Sequence, residues 1–334
     1  MHSDLLFNQL CDGWWSLPCG TRNLITDVSG VKVGHTTLTS GSARTGVTAI
    51  LPHGGDLFGD KVEAAVAVLN GFGKSVGLVQ LEELGQIETP IVLSNTFAMP
   101  VCSSALIKRA VEDNPDIGRS LPTVNALALE CNDGLLNDIQ SMHVTERDVF
   151  AAIEAADVEF TLGAVGAGTG MRTFGFAGGL GSASRLINIE DAEYTLGALV
   201  LSNFGQQSEL RFCGRRMIGT DEIVEHEDKG SIIIVLATDA PLDSRQLKRV
   251  AKRASAALGR TGSYLGHGSG DIAIAFSTAT PSDDRIAERL LDKLFLATVE
   301  ATEEAIYRAM WHSESRVGYD GTQLPSFRKF LEEG

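Results

Sequence analysis

Asp221-Glu-Ile-Val-Glu-His-Glu-Asp-Lys-Gly230 runs without transition into Ser231-Ile-Ile-Ile-Val-Leu-Ala-Thr238. The first segment is a polar, mostly charged loop; the second is a β-branched apolar run of the kind that forms a central strand. Downstream, residues 244–258 place Leu247, Val250, Ala251, Ala254 and Leu258 at i, i+3, i+4, i+7 and i+11, an amphipathic helix with Gly259 at the expected C-cap. A second strand at 271–277 and a second helix at 283–310, carrying Ile286, Leu290, Leu294, Ala297, Ala301 and Ala305, complete a strand, helix, strand, helix order. Upstream, strands are expected at 31–38, 45–52, 91–94, 124–130 and 194–203, with shorter helices at 101–111 and 146–156, the latter capped by Thr145. This mixture lacks the strict alternation of a doubly wound parallel sheet and reads as a layered α+β architecture. No repeat, low-complexity tract or linker divides residues 1–334, so a single domain is expected.

Composition narrows the function. Lys+Arg 28 against Asp+Glu 43 leaves a net charge of −15, which repels phosphate backbones and anionic membrane surfaces, so neither nucleic acid nor membrane is an expected partner. Thirty-six glycines accompany only 9 prolines, a balance that points to tight backbone geometry and not to disorder. No apolar run reaches the roughly 18 to 20 residues of a membrane helix. Residues 1–15 lack a basic region and an apolar stretch of signal-peptide length, and read as a surface arm or packing element. The cysteines at 11, 19, 102, 131 and 213 form no CxxC pair and no zinc-ligand spacing. They read as small buried hydrophobes in a reduced, cytoplasmic protein.

The stretch from Gly163 to Gly181 is rich in glycine, yet Met171 occupies the last position of the would-be GxGxxG and no GK[ST] follows. It is expected to be backbone passing close to another segment or to substrate. There is no GxSxG and no HExxH; His35, His53 and His267 sit beside glycine in loop-like sequence and read as surface or hydrogen-bonded side chains. What remains is Lys229-Gly230-Ser231, with Gly268-Ser269-Gly270-Asp271 at the head of the next strand. A serine can attack the carbonyl of the residue before it, form an ester by an N-to-O shift, and become a new N-terminus when water cleaves that ester. The freed serine then carries nucleophile and base together, because an α-amino group titrates at about 7.7 to 8.0. On spacing alone, Gly-Ser is also a common loop dipeptide.

Six stretches bear a family signature: Asn23-Leu-Ile-Thr-Asp-Val-Ser-Gly-Val-Lys-Val-Gly-His35, Thr45-Gly-Val-Thr-Ala-Ile-Leu-Pro-His53, Asn70-Gly-Phe-Gly-Lys74 with Glu83-Leu-Gly85 and Glu88-Thr-Pro90, Val165-Gly-Ala-Gly-Thr-Gly-Met171, Gly230-Ser-Ile-Ile-Ile-Val-Leu-Ala-Thr-Asp-Ala-Pro241, and Gly268-Ser-Gly-Asp271. In these the chain resembles the DmpA family of L-aminopeptidase/D-amidase-esterases, which includes the β-peptidyl aminopeptidases and whose members cut themselves to expose an N-terminal serine. The resemblance implies a four-layer αββα sandwich like that of N-terminal-nucleophile hydrolases but differently connected. It also implies cleavage between Gly230 and Ser231 into chains 1–230 and 231–334, with Ser231 the nucleophile. Ser269 and Asp271 match the residues that orient it, Asn203 the oxyanion donor, and Glu130 the carboxylate that holds the substrate's ammonium, followed by Asn132 on the substrate side. Family members often carry tyrosine after Asn-Asp-Gly where this chain has Leu135, which bears on substrate preference. The implied activity is release of N-terminal residues from short peptides, amides or esters, with no metal or cofactor, by a homo-oligomer of processed heterodimers. An acyltransferase of related fold and an unprocessed ligand-binding homologue are the alternatives.

Overall fold

The computed structural model describes residues 2–217, 230–280 and 285–333. A four-stranded sheet runs β1 (Lys32–Leu38), β2 (Thr45–Leu51), β5 (Ile91–Asn95), β6 (Leu127–Cys131). Against it lies a six-stranded sheet in the order β4 (Gln86–Ile87), β3 (Val62–Gly71), β14 (Gly270–Ser277), β13 (Ser231–Thr238), β10 (Ala192–Asn203), β9 (Gly179–Ile189). Two-residue pairs β7 and β8 (Arg172–Thr173, Phe176–Ala177), β11 and β12 (Arg211–Phe212, Arg215–Arg216), and β15 and β16 (Arg316–Val317, Gln323–Leu324) lie outside the two main sheets.

Pleating explains why β13 reads as unbroken hydrophobicity. Ile233, Val235 and Ala237 enter the core between the sheets with Ile50, Leu93, Leu129, Val66, Leu201 and Ile274. Ile232, Ile234 and Leu236 point the other way, into the layer of α5 (Ser244–Thr261) and α6 (Leu291–Trp311). On the far side, α3 (Met99–Asp113) and α4 (Glu146–Glu154) cover the small sheet through Cys102, Ala105, Val149 and Ala152. The result is the expected αββα sandwich. Short helices α1 (His2–Leu10), α2 (Leu78–Leu84) and α7 (Phe327–Glu333) complete the helix set of the described residues, among which no helix is long and apolar enough to cross a membrane.

The helix layer approaches the large sheet at backbone distance. A Cβ at Gly181 on β9 would lie 1.8 Å from the Ala305 carbonyl oxygen of α6, so glycine meets the alanine stripe Ala297, Ala301, Ala305 and Ala309. This is the close-approach role expected of the glycine-rich stretch.

Several expectations shift. α5 continues through Gly259 to Thr261 and is capped by Gly262 at φ 104°, whose amide donates to Gly259 and Leu258 carbonyls. α6 begins only at Leu291 after a 3₁₀ turn at Glu288–Leu290. Ile286 is buried all the same, in a segment before any helix, where its amide donates to Pro241 O at 3.2 Å. Residues 283–284 of that expected helix, and 221–229 of the charged loop, lie outside the described residues. Cys11, Cys102 and Cys131 are buried, whereas Cys213 is half-buried and Cys19 exposed; Cys213 Sγ lies 3.2 Å from Cys11 Sγ, joining the N-terminal arm to the β11–β12 turn. His35 is a strand residue of β1, not a loop residue.

Candidate active site

Ser231 is the first residue of β13, paired in register with Asn203 at the end of β10 and with Gly270 at the start of β14. The three central strands of the large sheet therefore converge at one end, where the serine is 5% exposed. Its Oγ donates to the Gly230 carbonyl oxygen at 2.6 Å and accepts the Gly270 N–H at 3.2 Å. A Cβ at residue 230 would fall 2.2 Å from the Asn203 carbonyl oxygen and 2.6 Å from Phe204 Cα, so the position admits glycine alone. The hydroxyl is thus held against the carbonyl of the peptide bond that precedes it.

Asn203 is oriented at both ends of its amide. Oδ1 accepts the Arg172 N–H at 2.8 Å, and Nδ2 donates to the Asn132 carbonyl at 2.9 Å. On the other side of Ser231, Ser269 Oγ donates to Asp271 Oδ1 at 2.6 Å, both side chains being 1% exposed. Gly270, between them in sequence, is the residue whose amide reaches Ser231.

Glu130 sits near the C-terminal end of β6, buried, with Oε1 accepting the Lys74 N–H at 2.7 Å and Oε2 accepting the Thr96 hydroxyl. Gly73 lies between it and the start of β14: a Cβ there would lie 3.6 Å from Glu130 Oε1 and 4.0 Å from Gly270 Cα. The structure therefore gathers Ser231, Asn203, Ser269, Asp271 and Glu130 at one end of the sandwich. Asn132 joins them through its backbone carbonyl, its side chain being exposed and accepting the Gly134 N–H at 2.9 Å. Leu135, 43% exposed in the following turn, makes none of these contacts.

Sequence reasoning passed over two participants. Thr96 and the Lys74 amide set the Glu130 carboxylate. Asp133, fully buried, accepts from Asn137 Nδ2 at 3.0 Å through Oδ1, while Oδ2 has no hydrogen-bond partner among the described residues. Burial pushes its carboxyl up to about 7 against the opposing hydrogen bonds of Thr45 and Asn137. The turn signature of Asn-Asp-Gly gives no sign of this burial. The histidines behave structurally: His35 meets Thr48 Oγ1 at 3.0 Å and Thr161 O at 3.1 Å, and burial lowers it to about 4; His53 meets Asp60 O at 2.8 Å.

An oxygen nucleophile, an oriented side-chain amide and a buried carboxylate fit acyl transfer. The profile of peptidase family S58 matches residues 23–324. The chain is 37% identical over 340 residues to the beta-peptidyl aminopeptidase BapA of Sphingosinicella microcystinivorans, covering 90% of this chain and 84% of that protein. Among solved structures, the PH0078 protein from Pyrococcus horikoshii OT3 superposes with TM-score 0.92 at 46% identity, covering 98% of this chain and 97% of that one. The L-aminopeptidase D-Ala-esterase/amidase from Ochrobactrum anthropi, described as a prototype of the serine aminopeptidases and a variant of the Ntn hydrolase fold, superposes with TM-score 0.86 at 34% identity, covering 96% and 95%. With the fold, the nucleophile's setting and the match over most of its length in agreement, the chain belongs to peptidase family S58 and is a serine-type hydrolase.

Proposed function

We propose that this chain cleaves itself between Gly230 and Ser231 and then acts as an aminopeptidase or amidase on short peptides, amides or esters. The observation that carries the reading is Ser231 Oγ lying 2.6 Å from the Gly230 carbonyl oxygen at the head of a central strand. Attack of Oγ on the Gly230 carbonyl carbon forms a cyclic adduct. Its collapse breaks the C–N bond and leaves an ester on Oγ, with the proton passed to the departing nitrogen. Water then cleaves the ester, leaving the Gly230 carboxylate and a free Ser231 α-amine.

In turnover the α-amine takes the Ser231 hydroxyl proton as Oγ attacks the substrate carbonyl. Asn203 Nδ2 donates to the developing oxyanion, and the leaving amine receives the proton back. Water repeats the sequence on the acyl-enzyme. Ser269 and Asp271 hold the Ser231 end of the strands, and Glu130 binds the substrate ammonium by a charge-assisted hydrogen bond, which makes the enzyme an exopeptidase. A cytoplasmic setting, supported by five cysteines that are in no disulfide, and a homo-oligomer of processed pairs belong to the same reading.

Intact mass of purified protein tests it. Fragments 1–230 and 231–334 are expected from wild type and a single full-length species from Ser231→Ala, which should also be inactive. Persistent full-length wild type with full activity would sink the mechanism. An aminoacyl p-nitroanilide should be hydrolysed at least about tenfold faster than its N-acetyl form, which cannot pair with Glu130.

A further inference from the structure

Where β5 ends, the chain turns through Asn95 and Thr96 into α3, and a cavity of about 310 Å³ opens there between Thr96, Phe97, Pro100, Val101, Met142 and Val144. The polar groups at its floor are already engaged. Asn95 Oδ1 accepts the Phe97 and Ala98 amides at 3.0 Å each, and its Nδ2 donates to Thr45 Oγ1 at 2.8 Å. The Thr96 hydroxyl donates to Glu130 Oε2. No lining residue is charged, and Phe97 and Met142 are exposed at 46% and 65%. One residue, Thr96, thus forms the wall of an apolar cavity and holds the carboxylate assigned to the substrate ammonium. The α-ammonium and the side chain of an amino acid diverge from one carbon, so an anchor for the first places the second in the adjoining space.

We infer that this cavity is the subsite for the side chain of the substrate's N-terminal residue, and that it selects uncharged apolar side chains of about leucine size over alanine and over lysine. The inference rests on the Glu130 anchor proposed above. The volume is at the small end of the ~300–1,000 Å³ typical of ligand pockets, which suits one side chain. A charged side chain would shed water there without gaining a partner. Val101 lines it from the first turn of α3.

The experiment compares kcat/KM for leucyl, alanyl and lysyl p-nitroanilides on the self-processed enzyme. Wild type should favour the leucyl substrate by about tenfold or more over each of the others. Val101→Trp, which fills the cavity, should lower the leucyl-to-alanyl ratio by at least about tenfold. Val101→Thr, which keeps the shape but adds a hydroxyl, should lower it in the same direction and serves should the larger side chain prevent folding. A wild-type leucyl preference within about threefold of alanyl, or a ratio unmoved in folded variants, overturns the subsite while alanyl turnover leaves the aminopeptidase reading standing. Absence of turnover on all three by wild type overturns that reading and this one together.

Discussion

Asn203 shows how one side chain can be both fixed and available. The Arg172 amide holds its oxygen and the Asn132 carbonyl takes one of its two N–H groups, and the proposed mechanism assigns the second to an oxyanion at Ser231, its register partner. Asn203→Ala should therefore lower kcat by roughly 10²- to 10³-fold while KM changes little, measured on protein whose cleavage is confirmed by mass. Equal kcat in the variant would remove Asn203 from the site. The neighbouring Asp133 makes a different prediction. Its carboxyl is raised by burial from 3.8 to about 7, so the folded chain holds this proton more tightly than the unfolded one. The stabilisation from that group is complete below pH 4 and is lost as pH rises towards and through 7, at up to about 1.4 kcal/mol per pH unit. Urea midpoints between pH 4 and 8 should fall with pH less steeply in Asp133→Asn than in wild type; parallel curves would show that the carboxyl titrates normally.

Elements differ in how openly their sequences announce them. β13 is legible because a strand between two layers is apolar on both faces, and Ile232–Ala237 contains nothing else. β9 is not, since GLGSASRLINI opens on the small residues that a helix at backbone distance requires, and β3 is not, since VEAAVAVLNG dilutes its valines with three alanines, residues depleted in strands. The sequence makes α6 too long because Ile286 and Leu290 continue its apolar spacing, although Ile286 reaches the core from outside any helix. In the site, Ser231, Asn203, Ser269, Asp271 and Glu130 became legible through family resemblance, since a lone Gly-Ser dipeptide carries no signal. Thr96 escaped because its meeting with Glu130 depends on the parallel register of β5 and β6, which sets Ser94 beside Glu130. Local pattern does not encode a pairing between residues this far apart in the chain.

At the scale of the molecule, the proposed cut severs a chain whose halves are interleaved. β13 and β14 come from residues after the cut, and they lie between β10 and β3, which come from residues before it. The N-terminal arm adds a second clasp across the same divide. Trp14 and Trp15 donate from Nε1 to Glu303 at 3.1 Å each, and the Ser16 and Leu17 amides donate to Glu300 at 2.9 and 3.0 Å. Beneath them Arg185 of β9, 1% exposed, pairs with Glu300 at 3.2 Å and Glu304 at 2.7 Å on α6. The two fragments should therefore co-elute in native size-exclusion chromatography and separate only in denaturant, and Arg185 is where that cohesion is most open to test. Arg185→Met leaves two buried carboxylates without their cation, a change expected to cost about 3 to 5 kcal/mol. Since Arg185 lies on one fragment and its partners on the other, the denaturant midpoint should drop with both fragments released in one transition. Release of residues 231–334 from wild type under native conditions, or an unchanged midpoint in Arg185→Met, would show that the sheet does not bind the halves as one cooperative unit.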